Sequence, residues 1–284
     1  MARSDPCNSS RYWQAPDIAG MSLLHADFTT HEYAPHVHEA VVVAATEIGG
    51  SEFKSRGKSG AAHARALLVF NPAEPHSGRM GGSTRWCYRS FYLAEAGIQE
   101  VLHLLGTDQA RYFTSNVFYD EDLVARFLEL HRVLDEKGTE AADALLRREL
   151  LLRSFGALFQ RHGHAQQRVP RQPSNGRAAL APVVALIHDC YAQRLSLEQM
   201  GRAAKLTPFQ LIGLFNKSFG LTPHAYLTQL RLKVAIRNLR AGQAVAEAAM
   251  AAGFYDQSAL NNHFKRAFGM TPQQYVRAMR LKKA

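Results

Sequence analysis

Apolar residues recur with two different periods along this chain, and the change near residue 95 divides its first half. Residues 1–30 read as an arm with a first apolar segment carrying Tyr12, Trp13 and Phe28. From about 31 to 93, short β-type runs (Ala40–Ile48, Glu52–Lys54, Ala66–Phe70, Trp86–Leu93) are separated by turn signals at Gly49-Gly50 and Asn71-Pro72. Evenly spaced short strands predict a small barrel or sandwich. Beyond 95 the period becomes helical, predicting helices over Glu95–Leu105, Glu121–Leu134 and Glu140–Phe159. Leu123, Phe127, Leu130 and Leu134 form one seam; Leu145, Leu152, Phe155 and Phe159 form another, interrupted by Glu149. Such seams are either core or a partner surface. His162–Arg177 is polar, rich in Gly, Gln, Pro and Ser, and reads as a linker. Helices are predicted after it over Ala181–Tyr191, Leu197–Ala204 and Val245–Ala252.

The last hundred residues contain one segment written twice. Leu211 to Tyr226 and Leu260 to Tyr275 share Leu, Phe, Phe, Gly, Thr, Pro and Tyr at a constant offset of 49 residues, so one supersecondary unit is used twice. Leu, Phe and Phe fall at i, i+4 and i+8 and share one helical face. Thr207 and Asp256 are predicted N-caps, with Pro208 just inside the first helix; Gly220 and Gly269 stand where C-caps belong, followed by Pro223 and Pro272. Gly253 can supply the turn before the second repeat helix. Each copy thus reads as a helix-turn-helix. Pro223–Leu239 reads as one bridging helix of roughly 25 Å, beside the about 34 Å that separates successive major grooves on one DNA face.

These residues resemble the AraC/XylS-type transcription regulators: Ser196-Leu197-Glu198 through Tyr226, then Val245-Ala246-Glu247 through Gly253-Phe254-Tyr255-Asp256-Gln257-Ser258 to Tyr275, with the closing Gly-hydrophobic-Thr-Pro-x-x-Tyr element present twice. His36-Val37-His38-Glu39, the later Asn71-Pro72-Ala73-Glu74-Pro75-His76 and Tyr88-Arg89 are similar to that family's cupin-like effector domain. The resemblance implies an α+β protein: an N-terminal cupin-like β-barrel with a helical extension (1–161), a linker (162–177), and an all-α domain with two helix-turn-helix motifs (178–284). It implies a regulator that binds double-stranded promoter or operator DNA under control of a small-molecule effector, with RNA polymerase and a second copy of the chain as further partners, and neither enzyme activity nor a cofactor.

Charge sharpens this division. The chain carries a net +10, and residues 178–284 hold 14 Lys+Arg against 4 Asp+Glu, which accounts for the whole surplus. A basic domain attached to a neutral one reads as a polyanion binder carrying a separate module. The apolar share of 46% is that of a globular soluble protein. No apolar run approaches the ~18 residues of a membrane span, the first residues lack a secretory signal pattern, and a cytoplasmic location is expected. Three scattered cysteines, Cys7, Cys87 and Cys190, suggest neither a disulfide framework nor a Cys-x-x-Cys zinc site; they read as buried or free thiols, with a thiol sensor as the other reading. No nucleophile elbow, phosphate loop or dinucleotide fingerprint appears.

With the apolar face of each repeat helix turned inward, the outward stripe of the first copy is Phe209, Gly213 and Asn216, flanked by Gln210, Ile212 and Lys217. In the second it is Ser258, Asn262 and Lys265, flanked by Gln257, Asn261 and Arg266. Early residues meet base edges, and later Lys and Arg meet phosphates; Gln257, Asn261 and Asn262 are suited to adenine. The bland alternative is a solvated polar face. Members of the family often carry Arg where Gly213 stands, so the first copy is left with apolar contact through Phe209 and Ile212, or with shape readout. In the first half, His36 and His38 are expected on one side of a strand with His76 converging on them and Glu39 or Glu74 nearby; Glu74 and Arg89 are the polar ligand contacts, Arg89 suited to a carboxylate or else held in a buried pair. Three readings of the histidines stand: a small-molecule pocket, structural histidines, or a divalent metal site as in a cupin enzyme with a fused DNA-binding domain.

Overall fold

The computed structural model describes residues 8–15, 18–105, 111–135, 141–165 and 174–280. By their contacts they form two units, one holding 1–32 and 37–169, the other 33–36 and 170–280; each is described by itself.

The N-terminal unit is built on strands β1 (Ser9–Gln14), β2 (Met21–Phe28), β4 (Ala40–Ile48), β5 (Gly50–Ser55), β6 (Lys58–His63), β7 (Leu67–Phe70), β8 (His76–Met80) and β9 (Trp86–Ala94); strand β3 (Glu32–His36), between β2 and β4 in the chain, groups from Tyr33 onward with the other unit. Helix α1 (Glu95–Leu104), strands β10 (Arg111–Tyr112) and β11 (Val117–Phe118), helices α2 (Glu121–Asp135) and α3 (Ala141–His162), and strand β12 (His164–Ala165) follow. A six-stranded sheet runs β1-β2-β9-β4-β7-β11, a second sheet of this unit runs β8-β5-β6, and β10 pairs with β12.

The near-continuous apolar run of β4 follows from burial on both faces. Alternate residues Val42 and Ala44 point with Leu68 and Phe70 toward Phe53 and Ala62 of the second sheet. Val41, Val43 and Ala45 point the other way, into a core shared with α1, α2 and α3. There Phe91, Phe127 and Phe155 meet ring to ring at 5.0–5.9 Å. Leu123, Phe127, Leu130 and Leu134 are all buried in that core, so the seam of α2 packs inside its own unit; Leu145 lies outside the described side chains.

The predicted strands over Ala40–Ile48 and Trp86–Leu93 and the helices from Glu95 and Glu121 fall within a residue of the observed elements. His36-Val37-His38-Glu39 does not open a strand: His36 ends β3, and 37–39 turn into β4. The expected linker 162–177 is shorter, because α3 runs through His162 and the next helix starts at Ser174; residues 166–173 lie outside the described residues.

The C-terminal unit is helical: α4 (Ser174–Cys190), α5 (Leu197–Ala204), α6 (Pro208–Phe219), α7 (Pro223–Arg240), α8 (Val245–Ala251), α9 (Gln257–Phe268) and α10 (Pro272–Arg280). Its boundaries follow from side-chain chemistry. Ser196 and Thr207 cap α5 and α6 with reciprocal Gln199 and Gln210 capping boxes, and Thr222 and Asp256 cap α7 and α9. Gly220 and Gly269, both at φ +70°, close α6 and α9 in the left-handed region that glycine alone enters freely.

Candidate nucleic-acid interface and barrel interior

Each repeat builds the same scaffold. In the first, Leu211 and Phe215 are fully buried, and Phe215 meets Phe219 at 4.6 Å and Tyr226 at 5.4 Å. In the second, Leu260 and Phe264 are fully buried, and Phe264 meets Phe268 at 4.7 Å and Tyr275 at 5.7 Å. Arg177 lies over Phe219 and donates to the Ser218 carbonyl at 3.1 Å; Arg240 donates to the Tyr275 hydroxyl at 2.7 Å. Because the inward faces are occupied by this packing, the outward faces of α6 and α9 are available to carry recognition chemistry.

On α6, Phe209, Gly213, Asn216 and Lys217 are exposed and Ile212 half-buried; on α9, Gln257, Ser258, Asn262, Lys265 and Arg266 are exposed and Asn261 half-buried. Phe209 is 87% exposed, an unusual state for a large aromatic ring. A Cβ on Gly213 would meet nothing within 4 Å, so that position presents bare backbone. Gln210 is exposed too, and its Oε1 accepts from the Thr207 backbone N–H at 3.0 Å, which gives it a part in capping α6. Tyr255, 82% exposed just before the α9 cap, was not singled out from the sequence. It lies outside the helix that the apolar period defines, and its signal was only its place beside Asp256.

Between the two sheets of the N-terminal unit Val42, Phe53, Ala62, Leu68 and Phe70 form a buried cluster, against which Tyr92 packs. His38 lies 5.3 Å from His76 and 5.0 Å from Tyr92, ring centre to ring centre, while His76 stacks on Phe70 at 3.9 Å. His76 Nδ1 donates to the Glu74 carbonyl at 2.9 Å, which leaves Nε2 as the acceptor. Burial pushes His76 down to about 4 and the Tyr92 phenol up to about 12, so both are neutral near pH 7. His36 belongs to the segment Tyr33–His36 that groups with the C-terminal unit, with its Nδ1 2.7 Å from the Ala34 carbonyl. Glu39 is part-exposed in the turn before β4.

Two expected pocket residues stand elsewhere. Glu74 accepts from Ser55, Arg56, the Asn71 backbone and side chain, and Asn116 at 2.6–3.1 Å. Burial pushes its carboxyl up, but the bonds from Arg56, Ser55, Asn116 and Asn71 outweigh that and hold it below the usual range. It fixes the Asn71–His76 turn, and these bonds consume its oxygens. Arg89 has the parity of Phe91, opposite to Tyr92, so it faces the helices: Nε donates to Glu47 at 3.0 Å and NH1 reaches His131 of α2 at 3.1 Å. Strand alternation separates it from His38 and His76.

A basic helical unit with paired helix-turn-helix motifs, in one chain with a sheet-lined receptor backed by helices, defines a DNA-binding transcription regulator with a ligand-binding domain. Residues 200–278 match the family model described as a helix-turn-helix domain, and 18–155 match the AraC-like ligand binding domain. Together these span well over half of the chain. The chain belongs to the AraC/XylS family of transcription regulators. It is similar to the HTH-type transcriptional regulator YbfI of Bacillus subtilis, 26% identical with 80% of this chain and 81% of that one covered. It is also similar to the transcriptional activator RhaS of Klebsiella pneumoniae, 25% identical over 58% of this chain and 56% of the relative. An apo ToxT variant from Vibrio cholerae has the same fold, with a TM-score of 0.50 at 9% identity over 97% of this chain and 99% of that one.

Proposed function

We propose that α6 and α9 are the two reading helices of a single regulator that occupies adjacent major grooves, while the interior lined by Phe53, Phe70, Tyr92, His38 and His76 takes the effector. The supporting observation is the duplicated scaffold: the same buried Leu and Phe positions carry two outward faces in the domain that holds the whole positive surplus. In this reading Gln257, Asn261 and Asn262 contact base edges, Asn216 and Ser258 assist, and Lys217, Lys265 and Arg266 meet phosphates. Phe209 and Ile212 give apolar contact to thymine methyls. The α7 bridge, at ~1.5 Å per residue, holds the heads apart without a second copy, although self-association and contact with RNA polymerase fit the same organisation. In this reading the receptor domain includes α3 and β12, the DNA-binding domain starts with α4 at Ser174, and the site of action is the cytoplasm.

The effector is an uncharged, largely apolar small molecule with one or two hydrogen-bonding groups, since the interior offers aromatic faces and neutral imidazole and phenol. The relatives are regulators, which supports a non-enzymatic role over a metal-dependent cupin enzyme. Fluorescence anisotropy with a selected operator tests the DNA reading: affinity should exceed that for random duplex and fall log-linearly with salt. Equal, salt-insensitive binding to both duplexes would overturn it.

A further inference from the structure

The helix-facing side of the six-stranded sheet carries a second group of metal-type donors, remote in the pleat from His38 and His76. His25 stands on β2 and Cys87 on β9; Glu47 occupies the irregularity in β4 where the register slips between Thr46 and Ile48. A bulge re-aims a side chain in this way, and it places the Glu47 carboxylate over the Cys87 face. Three atoms converge: Cys87 Sγ lies 3.5 Å from His25 Nε2 and 3.7 Å from Glu47 Oε2, and His25 Nε2 is 3.8 Å from Glu47 Oε2.

Those separations can be compared with what a tetrahedral ion demands. Zinc bond lengths of about 2.3 Å to sulfur, 2.05 Å to nitrogen and 2.1 Å to oxygen give ligand–ligand distances of about 3.6, 3.6 and 3.4 Å for S···N, S···O and N···O. Two of the three edges already agree to within about 0.1 Å, and the third closes with a small rotation of a side chain that is part-exposed. The thiol is buried, while the His25 and Glu47 side chains remain 32% and 21% accessible, which leaves an approach for a cation and a fourth position for water.

We propose that Cys87, His25 and Glu47 form a binding site for a borderline-soft divalent cation of the zinc type, open at its fourth position. Thiolate, imidazole and carboxylate in one triad select zinc or cobalt over magnesium or calcium. Binding proceeds as Cys87–SH plus M²⁺ giving Cys87–S–M and one released proton. Thiolate and carboxylate then cancel the charge of the ion. Arg89, which donates to Glu47 Oε2 and sits 3.8 Å from Asp135, serves as the outer partner that orients the carboxylate. It also ties the site to His131 on α2. Without an ion the thiol is not a poised nucleophile: burial and the nearby Glu47 and Asp27 push it up to about 11.

The test uses the full chain, stripped with chelator and titrated with Co²⁺ and then Zn²⁺. Expected are one equivalent bound, a thiolate-to-cobalt charge-transfer band in the near ultraviolet, its loss on adding Zn²⁺, and release of about one proton per ion at neutral pH in weak buffer. Cys87→Ser removes the band and weakens Zn²⁺ binding by more than about tenfold; His25→Ala weakens it likewise. Cys190→Ser and His38→Ala leave band and stoichiometry unchanged. A band that survives Cys87→Ser, or Co²⁺ bound with neither band nor proton release by the unmutated chain, overturns the proposal. The unmutated chain alone decides it should the Cys87 variant fail to fold.

Discussion

Gly213→Ala is expected to stabilise the C-terminal unit. Gly213 is the sixth of the 12 residues of α6, fully inside the helix and exposed, and a methyl added there would meet no neighbour within 4 Å. No clash offsets the gain, so the whole propensity difference should appear, about 1 kcal/mol. For a domain of this size that raises the midpoint by roughly 4–8 °C. The two tryptophans, Trp13 and Trp86, both lie in the N-terminal unit. Far-UV circular dichroism therefore follows helix loss that includes the C-terminal unit, while tryptophan fluorescence follows the other unit as an internal control. The dichroism transition should move up and the fluorescence transition should not. An unchanged or lowered dichroism midpoint, or a fluorescence shift of equal size, would refute the placement of Gly213 on an open helix face.

Asn262→Ala should weaken binding at one half-site only, whereas Lys265→Ala should weaken all duplexes evenly and lower the salt slope by about 1; equal effects of both on operator and random DNA would contradict the assignment. Asp256→Ala should cost about 1 kcal/mol through the lost α9 cap, measured by urea denaturation and spared by Asp256→Ser. Glu74→Ala should cost roughly 3–5 kcal/mol, since it leaves Arg56, Asn71 and Asn116 donors facing a void, seen as a lowered fluorescence midpoint. His76 is held neutral in the fold but takes a proton at about 6.5 when unfolded. Between pH 6.5 and about 4 His76 should therefore take roughly 3 kcal/mol from the stability of the N-terminal unit, beside the loss from His131, which is held down to about 3, and His76→Phe should make that dependence shallower.

The repeat was the most legible feature of the sequence because period, caps and aromatic spacing all described the same helices. Thr207, Asp256, Gly220 and Gly269 each announced a boundary by local chemistry, which needs no knowledge of the fold. The sheet was less legible. β4 and β9 were readable from their apolar runs, but β1, β6 and β10 to β12 are short or polar and take their strand form from their neighbours. The barrel site suffered most. Arg89 reads from the sequence as a ligand contact or as half of a buried pair, and pleat parity sends it to the face away from His76, where it pairs with Glu47; Glu74 reads as a ligand contact although four neighbouring side chains consume its oxygens. The bulge at Glu47 leaves no trace in composition, so the group around Cys87 appears only when the strands are aligned.

The two proposed reading faces stand on matching supports but are not copies of one another: α6 offers an aromatic ring and bare backbone where α9 offers serine and asparagine. A protein with unlike heads fits a duplex in one direction only. On the proposed reading the binding site has a left and a right, and a single copy seated there would point one way along the promoter, whereas a symmetric dimer would need a further cue to distinguish upstream from downstream.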